Sequence, residues 1–408
     1  MVKNLVSVLM VNYNRGITIG ESIKSVLAQT YRELELIIVD DGSTDDSCTV
    51  IESFQDPRIK LYRLGRNEHI SYATNYGFQK ETETYLTRID SDDVWYPEKL
   101  EKQIAFLNSH PEYKICFAWI DLIDEYGNNI NEQQKGLLQV FESKFQGQSD
   151  CLRRFFFEGN CLSHPSVVMR TALMHEIGGF NLTYMQSHDF DYWIRIAKKY
   201  PLYVMQERLL AMRRFVHENS EGENNSKTSG SNVIRYENEA VNIKKHFFED
   251  MEDELFIRTF SQDFRNQESR TKEELACEKM FLLCKTCPEL QNMLPAGLDN
   301  LFEVYPQCAE TLKQKFDFTV HDLYAMTGYQ VYYNVREEER KQSEQEFLRR
   351  EVQKIQEECE RLRIQCQNLE MKCGEKEQQI EAYENSQSWR ITAPLRKIKS
   401  GWKNKLYS

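Results

Sequence analysis

The sequence predicts an α/β fold with a mostly parallel sheet in the first half of the chain, followed by a helical region and a coiled coil. Three observations support this prediction. Apolar segments of strand length alternate with helical patterns over residues 5–108, as expected for parallel strands joined by helices. Strand signals become rare after residue 231. From residue 348 onward, apolar side chains recur in alternating steps of four and three residues, which is a heptad repeat.

The predicted strands are continuous apolar runs, which are typical of central strands covered on both faces. They span residues 5–11, 34–39, 59–63 and 84–89. Patterns of helical spacing lie between or after them, at residues 19–30, 71–79 and 97–108. Ser43 and Asp46 have the spacing of a capping box, which predicts that a helix begins just after Ser43.

The composition excludes several classes of protein. A net charge of -12 and the lack of a basic face in the first 330 residues argue against nucleic-acid binding. No uncharged apolar segment approaches the roughly 18 residues that a membrane-spanning helix needs. The eleven cysteines are scattered without the spacing of a disulfide scaffold. We therefore expect a cytoplasmic protein with reduced thiols.

Polar loops follow the predicted strands at one edge of the sheet, where ligands of α/β folds bind. Tyr13, Asp40 and Asp90 lie in three such loops. Neither Gly-x-Gly-x-x-Gly nor the Gly-x-x-x-x-Gly-Lys motif of P-loop nucleoside triphosphatases follows the first strand. A dinucleotide dehydrogenase and a P-loop enzyme are therefore not supported. A nucleotide held by an aromatic face, a carboxylate and a cation remains compatible with these loops.

The fourth predicted strand ends in a crowded acidic segment. Asp90, Asp92 and Asp93 follow one another within four residues, and their charges repel. One interpretation is a solvated turn that precedes the next helix. The other is a site for a hard divalent cation, whose charge would make this crowding favourable.

Several motifs in the first 220 residues resemble those of family 2 glycosyltransferases. They lie at residues 6–14, 39–45, 75–77 and 88–95, and the resemblance continues through residues 178–180 and 188–195. Several motifs in the same order and at the same separations make this resemblance specific. It implies a GT-A fold, a nucleotide-sugar donor, a divalent cation and inversion at the anomeric carbon.

The resemblance implies donor-binding roles for four residues. Tyr13 would lie against the nucleobase, and Asp40 would accept a hydrogen bond from a ring nitrogen of a uracil-like base. Asn75 lies in a segment near the donor, and Arg213 would bind the diphosphate bidentately. From the residues alone, Tyr13 also fits a surface aromatic, Asp40 a turn residue, Asn75 a helix cap and Arg213 a surface cation.

The same resemblance implies a site for Mn²⁺ or Mg²⁺. Asp90 and Asp92 match the family's Asp-x-Asp motif, with Asp92 as the direct ligand, and His217 would reach the cation. Asp93 would instead cap the following helix. The alternative for His217 is an ordinary loop histidine.

The resemblance also implies that Asp189 is the catalytic base. Apolar residues at helical spacing follow it, which predicts that Asp189 lies at a helix N-terminus. The alternative is a capping carboxylate without a chemical role. The family usually has Glu or a small residue before this Asp, whereas this chain has His188, so the role of that neighbour is open.

The chain is predicted to have four regions. They are a GT-A domain over residues 1–220, a linker and helical accessory region over 221–335, a coiled coil over 336–385 and a basic amphipathic tail over 386–408. The heptads favour a parallel homodimer, and a single helix packed on the accessory region is the alternative. The tail combines basic residues with Trp, so it suits either the inner face of the plasma membrane or the acidic catalytic domain of the same chain.

The resemblance, together with these patterns, implies two candidate functions. The first is an inverting glycosyltransferase that moves a sugar from a UDP-sugar to a hydroxyl of a growing cell-surface glycan or glycolipid. The second is a non-catalytic adaptor that retains the GT-A domain and organises other biosynthetic proteins through its coiled coil. The presence of Asp40, Asp90, Asp92 and Asp189 together favours the enzyme, because an inactive domain need not keep all four.

Overall fold

A computed structural model describes residues 5–80, 84–216, 230–285, 295–329, 335–392 and 394–395. The chain divides into two compact units, Met1–Gln330 and Val331–Ser408. The first unit contains the predicted catalytic and helical regions together, and the second begins close to the predicted start of the coiled coil. His217, residues 218–229 of the region around the predicted linker and the tail after residue 395 lie outside the described ranges.

The first unit is built on one sheet. Its strands are β1 Val6–Asn12, β2 Leu34–Asp40, β3 Ile59–Arg63, β4 Tyr85–Asp90, β5 Val94–Trp95, β6 Ile115–Ile123, β7 Val168–Arg170 and β8 Tyr203–Arg213. The first four match the predicted strands to within one residue at each end. The strands beyond β4 were not predicted, because they lie in a part of the sequence where helical and strand patterns are mixed.

The strand order is β3-β2-β1-β4-β7-β6-β8-β5. Strands β3, β2, β1 and β4 are mutually parallel, and β6 is parallel to β8. The short strand β7 is antiparallel to both β4 and β6, and β5 is antiparallel to β8. The predicted α/β fold with a parallel-dominated sheet is therefore confirmed.

Helices cover the sheet and continue beyond it. In the first unit they are α1 Gly16–Leu27, α2 Ser47–Glu52, α3 His69–Phe78, α4 Lys99–Ser109, α5 Lys135–Phe141, α6 Gln148–Phe157, α7 Thr171–Ile177, α8 His188–Ala197, α9 Gly230–Lys245, α10 Asp253–Phe260, α11 Lys272–Leu283, α12 Pro295–Phe316 and α13 Val320–Tyr329. In the second unit they are α14 Val335–Glu384 and α15 Gln387–Ile391.

Each face of the sheet has its own hydrophobic core, because successive side chains of a strand point to opposite faces. In β1, Leu9 belongs to one core, whereas Val8 and Met10 belong to the other. The core that contains Leu9 extends into helices α9 to α11 through buried side chains that include Ile243, Phe247, Phe248, Phe256, Phe260, Leu275 and Leu282. Helices α9 to α11 therefore share a core with the sheet, whereas α12 and α13 pack with α11 in a separate cluster.

The predicted capping box at Ser43 is wrong. Helix α2 begins at Ser47, and its N-terminal neighbour Asp46 makes no side-chain cap. The Ser43 hydroxyl instead accepts hydrogen bonds from the backbone N–H of Asn14 and from the side chain of Asn12. The Ser43 side chain therefore joins two loops, whereas the local spacing had predicted that it caps a helix.

Helix α14 is the main element of the second unit and runs for 50 residues. Its apolar heptad positions are solvent-exposed in the single chain, with Leu348, Ile355 and Leu362 each more than half exposed. Whether these positions pair with a second helix stays a prediction. In the described ranges, no helix combines the length and the apolar character that crossing a membrane requires.

Candidate active site

Strands β1, β2 and β4 end side by side, so the loops that follow them meet at one edge of the sheet. Asn12 at the end of β1 pairs in parallel register with Asp40 of β2, and Val11 pairs with Asp90 of β4. The structure therefore brings together the three loops that carry Tyr13, Asp40 and Asp90, as the sequence predicts.

Asp40 lies beneath this edge with both carboxylate oxygens engaged. The side-chain Nδ2 of Asn12 donates to Oδ1 over 2.8 Å, and the backbone N–H of Ser43 donates to Oδ2 over 3.0 Å. Asp40 is only 2% exposed, whereas Tyr13 beside it is 42% exposed. Because each carboxylate oxygen has two lone pairs, Asp40 retains the capacity to accept another hydrogen bond.

Each residue of the acidic segment is held by a different partner. Arg88 donates from Nη2 to Oδ1 of Asp90 over 2.7 Å, and Arg15 donates from Nε to Oδ2 of Asp92 over 3.2 Å. Burial is the main cause that raises the pKa of both Asp92 and Asp93, and the charges of neighbouring carboxylates raise it further. The surroundings of Asp92 and Asp93 therefore disfavour the charged form of both carboxyl groups.

The chemistry of this segment fits a divalent cation, although the described residues do not form a complete set of ligands. Within the described ranges, no group of three or more His, Cys, Asp or Glu side chains is arranged to hold a metal ion. The predicted third ligand, His217, lies outside those ranges. Carboxylate oxygens are the ligands that Mg²⁺ and Mn²⁺ prefer, and a cation at Asp90 and Asp92 would relieve their repulsion.

Asp93 does not cap the helix that follows it. Its Oδ1 accepts the backbone N–H of Arg213 over 2.9 Å, and helix α4 begins after Glu98 without a side-chain cap. The other oxygen of Asp93, Oδ2, is buried and has no hydrogen-bond partner among the described residues. Asp93 therefore ties the acidic segment to strand β8.

Asp189 lies at the second position of helix α8, as predicted. The backbone N–H of Phe190 donates to its Oδ1 over 2.7 Å, and Nδ2 of Asn160 donates to its Oδ2 over 3.1 Å. Burial raises the pKa of Asp189 to about 6, although both hydrogen bonds act in the opposite direction. A carboxylate with a pKa near neutrality suits a general base.

A polar contact and a ring contact lie between the acidic segment and the start of helix α8. Arg88, which holds Asp90, also lies 3.0 Å from Nδ1 of His164 through its Nη1. The His164 ring lies 5.4 Å from that of His188, measured between centroids. Nδ1 of His188 lies 3.0 Å from the carbonyl oxygen of Met185, which can only accept, so Nδ1 carries the proton.

His164 and His188 are both neutral near pH 7. Burial lowers the pKa of His188 to about 3 and that of His164 well below its usual value, and the charge of Arg88 lowers both further. The residue that departs from the family pattern, His188, is therefore a buried neutral ring that supports the helix carrying Asp189.

The placement of Asn75 differs from the donor contact expected from the sequence. Its Nδ2 donates to the carbonyl oxygen of Phe180 over 2.9 Å, and its Oδ1 accepts the N–H of Phe180 over 2.7 Å. A Cβ atom on Gly179 would lie 2.5 Å from Oδ1 of Asn75, so only glycine fits there. Asn75 therefore fastens helix α3 to the loop at residues 179–180, and both ends of its amide are engaged by the protein.

The side chain of Arg213 likewise makes its contacts within the protein and not with a diphosphate. Its guanidinium donates to the carbonyl oxygens of Asp92, Asp124 and Glu125 over 2.8 to 3.1 Å and pairs with Glu21. The side chain is only 1% exposed. The expected bidentate phosphate contact is therefore not available to Arg213, which instead joins three segments around the acidic site.

Sequence reasoning missed three residues of the site. Arg15 and Arg88 hold the acidic segment, and Asn160 holds Asp189. The position of Arg88 two residues before Asp90 is a usable signal, since a strand directs alternate side chains to the same face. Asn160 has no such signal, because it lies in a loop 29 residues from Asp189.

Comparisons with known proteins agree with these observations. Residues 7–178 match the family described as Glycosyl transferase family 2. EpsE of Bacillus subtilis, named as a glycosyltransferase, is 30% identical over 214 residues, which cover 51% of this chain and 72% of EpsE. MJ1057 of Methanocaldococcus jannaschii, also named as a glycosyltransferase, is 29% identical over 218 residues, which cover 52% of this chain and 72% of MJ1057.

The fold is also similar to that of a solved protein. The crystal structure of S. aureus TarS 1-349 in complex with UDP aligns with a TM-score of 0.50 at 15% sequence identity, covering 76% of this chain and 91% of that chain. At this level of identity the similarity shows a shared fold.

Proposed function

This chain belongs to glycosyl transferase family 2, and on that premise we propose that it transfers a sugar from a UDP-sugar to a hydroxyl of a growing cell-surface glycan or glycolipid, with inversion. The observation that carries the proposal is the position of Asp189. Its carboxylate has a pKa raised to about 6 by burial and is held at the start of helix α8 by Asn160 and the backbone N–H of Phe190. The UDP named with the TarS structure supports a uridine donor.

On the donor side, Tyr13 lies against the nucleobase and Asp40 accepts a hydrogen bond from it. Asp90, Asp92 and His217 would hold Mn²⁺ or Mg²⁺, which when bound supplies positive charge to the leaving diphosphate. We assign the diphosphate contact to Arg214 in place of Arg213. Arg214 is only partly buried and directly follows Arg213, whose backbone N–H donates to Asp93 of the acidic segment.

On the acceptor side, Asp189 removes one proton. The acceptor oxygen forms a bond to the anomeric carbon while the bond from that carbon to the phosphate oxygen breaks. The hydroxyl proton passes to the Asp189 carboxylate, and the nucleoside diphosphate leaves with the bonding electron pair. One direct displacement of this kind inverts the configuration at the anomeric carbon.

The proposed function is tested with purified full-length protein and a panel of nucleotide sugars in the presence of Mn²⁺. We expect release of UDP from one or more UDP-sugars, and weaker or no release of diphosphate from guanosine and thymidine donors. Binding of UDP without release from any nucleotide sugar, even with a mixture of glycan acceptors, would favour the non-catalytic adaptor.

We also propose that helix α14 forms a parallel coiled coil with a second copy of this chain. One core position begins with Val352 and continues with three cysteines and Ile380, and the other carries mostly Leu or Ile. A β-branched residue at the first position with Leu at the second favours two parallel strands. The three exposed cysteines of α14, Cys359, Cys366 and Cys373, are seven residues apart and therefore occupy the same heptad position. In a parallel dimer in register, each thiol would face its counterpart in the second copy.

Single-cysteine variants test this pairing. Three full-length variants each keep one α14 cysteine and have Ser at the other two, and a fourth with Ser at all three reports background from the remaining thiols. We expect a short bismaleimide to crosslink all three single-cysteine variants to dimers with similar yield. An antiparallel pair would give a crosslink at one position at most. A monomeric mass by light scattering without crosslinks would contradict the coiled coil.

A further inference from the structure

Helix α9, which lies beyond the residues that match the family, contacts the segment that leads into helix α8. Glu239 of α9 is 6% exposed and accepts three backbone hydrogen bonds from this segment. Its Oε1 accepts the N–H of Met185 over 2.9 Å, and its Oε2 accepts those of Gln186 and Ser187 over 2.8 and 2.7 Å. Asp189 follows two residues after Ser187.

These contacts fix the segment strongly. Hydrogen bonds to an ionised carboxylate are about twice as strong as those between neutral groups. The three N–H groups belong to residues that come just before α8, with Ser187 as the residue that immediately precedes the helix. One carboxylate that accepts all three holds these consecutive peptide groups in one arrangement at the entry to α8.

A second residue of α9 lies on the same face of the helix as Glu239. Tyr236 precedes Glu239 by three residues, which is helical spacing. Partial burial raises the pKa of Tyr236, and the negative charge of Asp189 raises it further, although the side chain is 52% exposed.

We infer that Glu239 is a positioning residue for the proposed catalytic base, and that helix α9 is part of the active site although it lies outside the family match. The inference rests on the proposed function. Glu239 touches neither donor nor acceptor; it orients the peptide groups before α8, and through them the carboxylate of Asp189. A displacement of about 1 Å in such a group costs on the order of 100-fold in rate.

The test compares Glu239→Ala and Glu239→Gln with Glu237→Gln in full-length protein. Glu237 is an exposed glutamate of the same helix and serves as the control. For Glu239→Ala we expect kcat for UDP release to fall about 100-fold, with the KM of the UDP-sugar and the affinity for UDP unchanged within about twofold. Glu239→Gln keeps one oxygen acceptor, so we expect an intermediate kcat. We expect Glu237→Gln to behave as wild type.

Two further measurements separate positioning from general stability. In wild type, kcat is expected to rise with pH through the pKa of Asp189 near 6, and in Glu239→Gln the midpoint of this rise should move, since the surroundings of the carboxylate change. A variant that is merely less stable would lose melting temperature and UDP affinity and keep the midpoint. An unchanged kcat and midpoint in Glu239→Gln would overturn the inference.

Amide hydrogen exchange distinguishes failure of this inference from failure of the proposed function. If wild type releases no UDP from any nucleotide sugar, the proposed function fails, and exchange at residues 185–187 still reports on the contact. We expect Glu239→Gln to accelerate exchange there relative to Glu237→Gln, while exchange in β1 and β2 stays the same. Equal protection of residues 185–187 in both variants would show that Glu239 does not fix the segment.

Discussion

Replacing Asp189 with Asn is expected to lower kcat for sugar transfer by about 10²- to 10⁴-fold, the usual contribution of a general base. The amide of Asn has nearly the same shape but cannot take the acceptor proton. UDP affinity should change by less than about twofold, because the base acts on the acceptor and not on the nucleotide. Initial rates of UDP release and calorimetric titration with UDP measure the two quantities.

The control for this variant is Asp191→Asn. Asp191 lies on the same helix and pairs with Arg195 over 2.9 Å, away from the contacts that hold Asp189. We expect Asp191→Asn to keep most of its activity. If Asp189→Asn instead loses nucleotide affinity and turns over normally at saturating donor, Asp189 is a donor contact.

The pH dependence gives an independent check of the same assignment. A base must be ionised to accept a proton, and the pKa of Asp189 is raised to about 6. The rate of wild-type protein is therefore expected to fall as the pH decreases through 6 and to level off above it. This acidic limb should be absent from the residual activity of Asp189→Asn. A wild-type rate that stays constant down to pH 5 would contradict a base with this pKa.

Replacing Asp92 with Asn is expected to abolish cation-dependent cleavage of the donor, a loss of at least about 100-fold in kcat. The leaving diphosphate gains negative charge, and a cation bound at Asp92 stabilises that charge by several kcal/mol. The variant should also bind Mn²⁺ more weakly in the presence of UDP, as measured by calorimetry. Excess EDTA should inactivate the wild type, and added Mn²⁺ should restore it.

Asp56→Asn is the control for the loss of one carboxylate. Asp56 pairs with Arg58 over 2.8 Å, within the turn that precedes β3. Asp92→Asn also loses the contact between Arg15 and Asp92. The melting temperature of each variant shows how much stability is lost with it. Full activity of the wild type in excess EDTA would show that no cation is required and that Asp92 has another role.

The central strands could be predicted because the residues of each strand form an apolar run that indicates a buried strand by itself. Runs such as residues 34–39 are apolar throughout, and burial on both faces of a parallel sheet needs no information from distant residues. The edge at which Tyr13, Asp40 and Asp90 meet followed directly from that assignment. Local pattern and tertiary structure agree for these elements.

Side-chain partners could not be predicted in the same way, because they depend on which loops become neighbours. Arg213 was expected to bind phosphate, yet its guanidinium is used by carbonyl groups of two loops 88 to 121 residues away. Glu239 lies 52 to 54 residues from the amides that it accepts, in a region without a recognisable chemical motif. No periodicity in the sequence encodes contacts at these separations.

The core shared by the sheet and helices α9 to α11 bears on where a minimal fragment of this protein can end. A boundary drawn at the end of the family match, residue 178, would remove helix α8 with Asp189 and strand β8, which lies between β6 and β5 in the sheet. A boundary at residue 220 would keep both but expose the surface that Phe247, Phe256 and Phe260 cover. Fragments intended for crystallisation or expression therefore have to extend to the end of the first compact unit at Gln330.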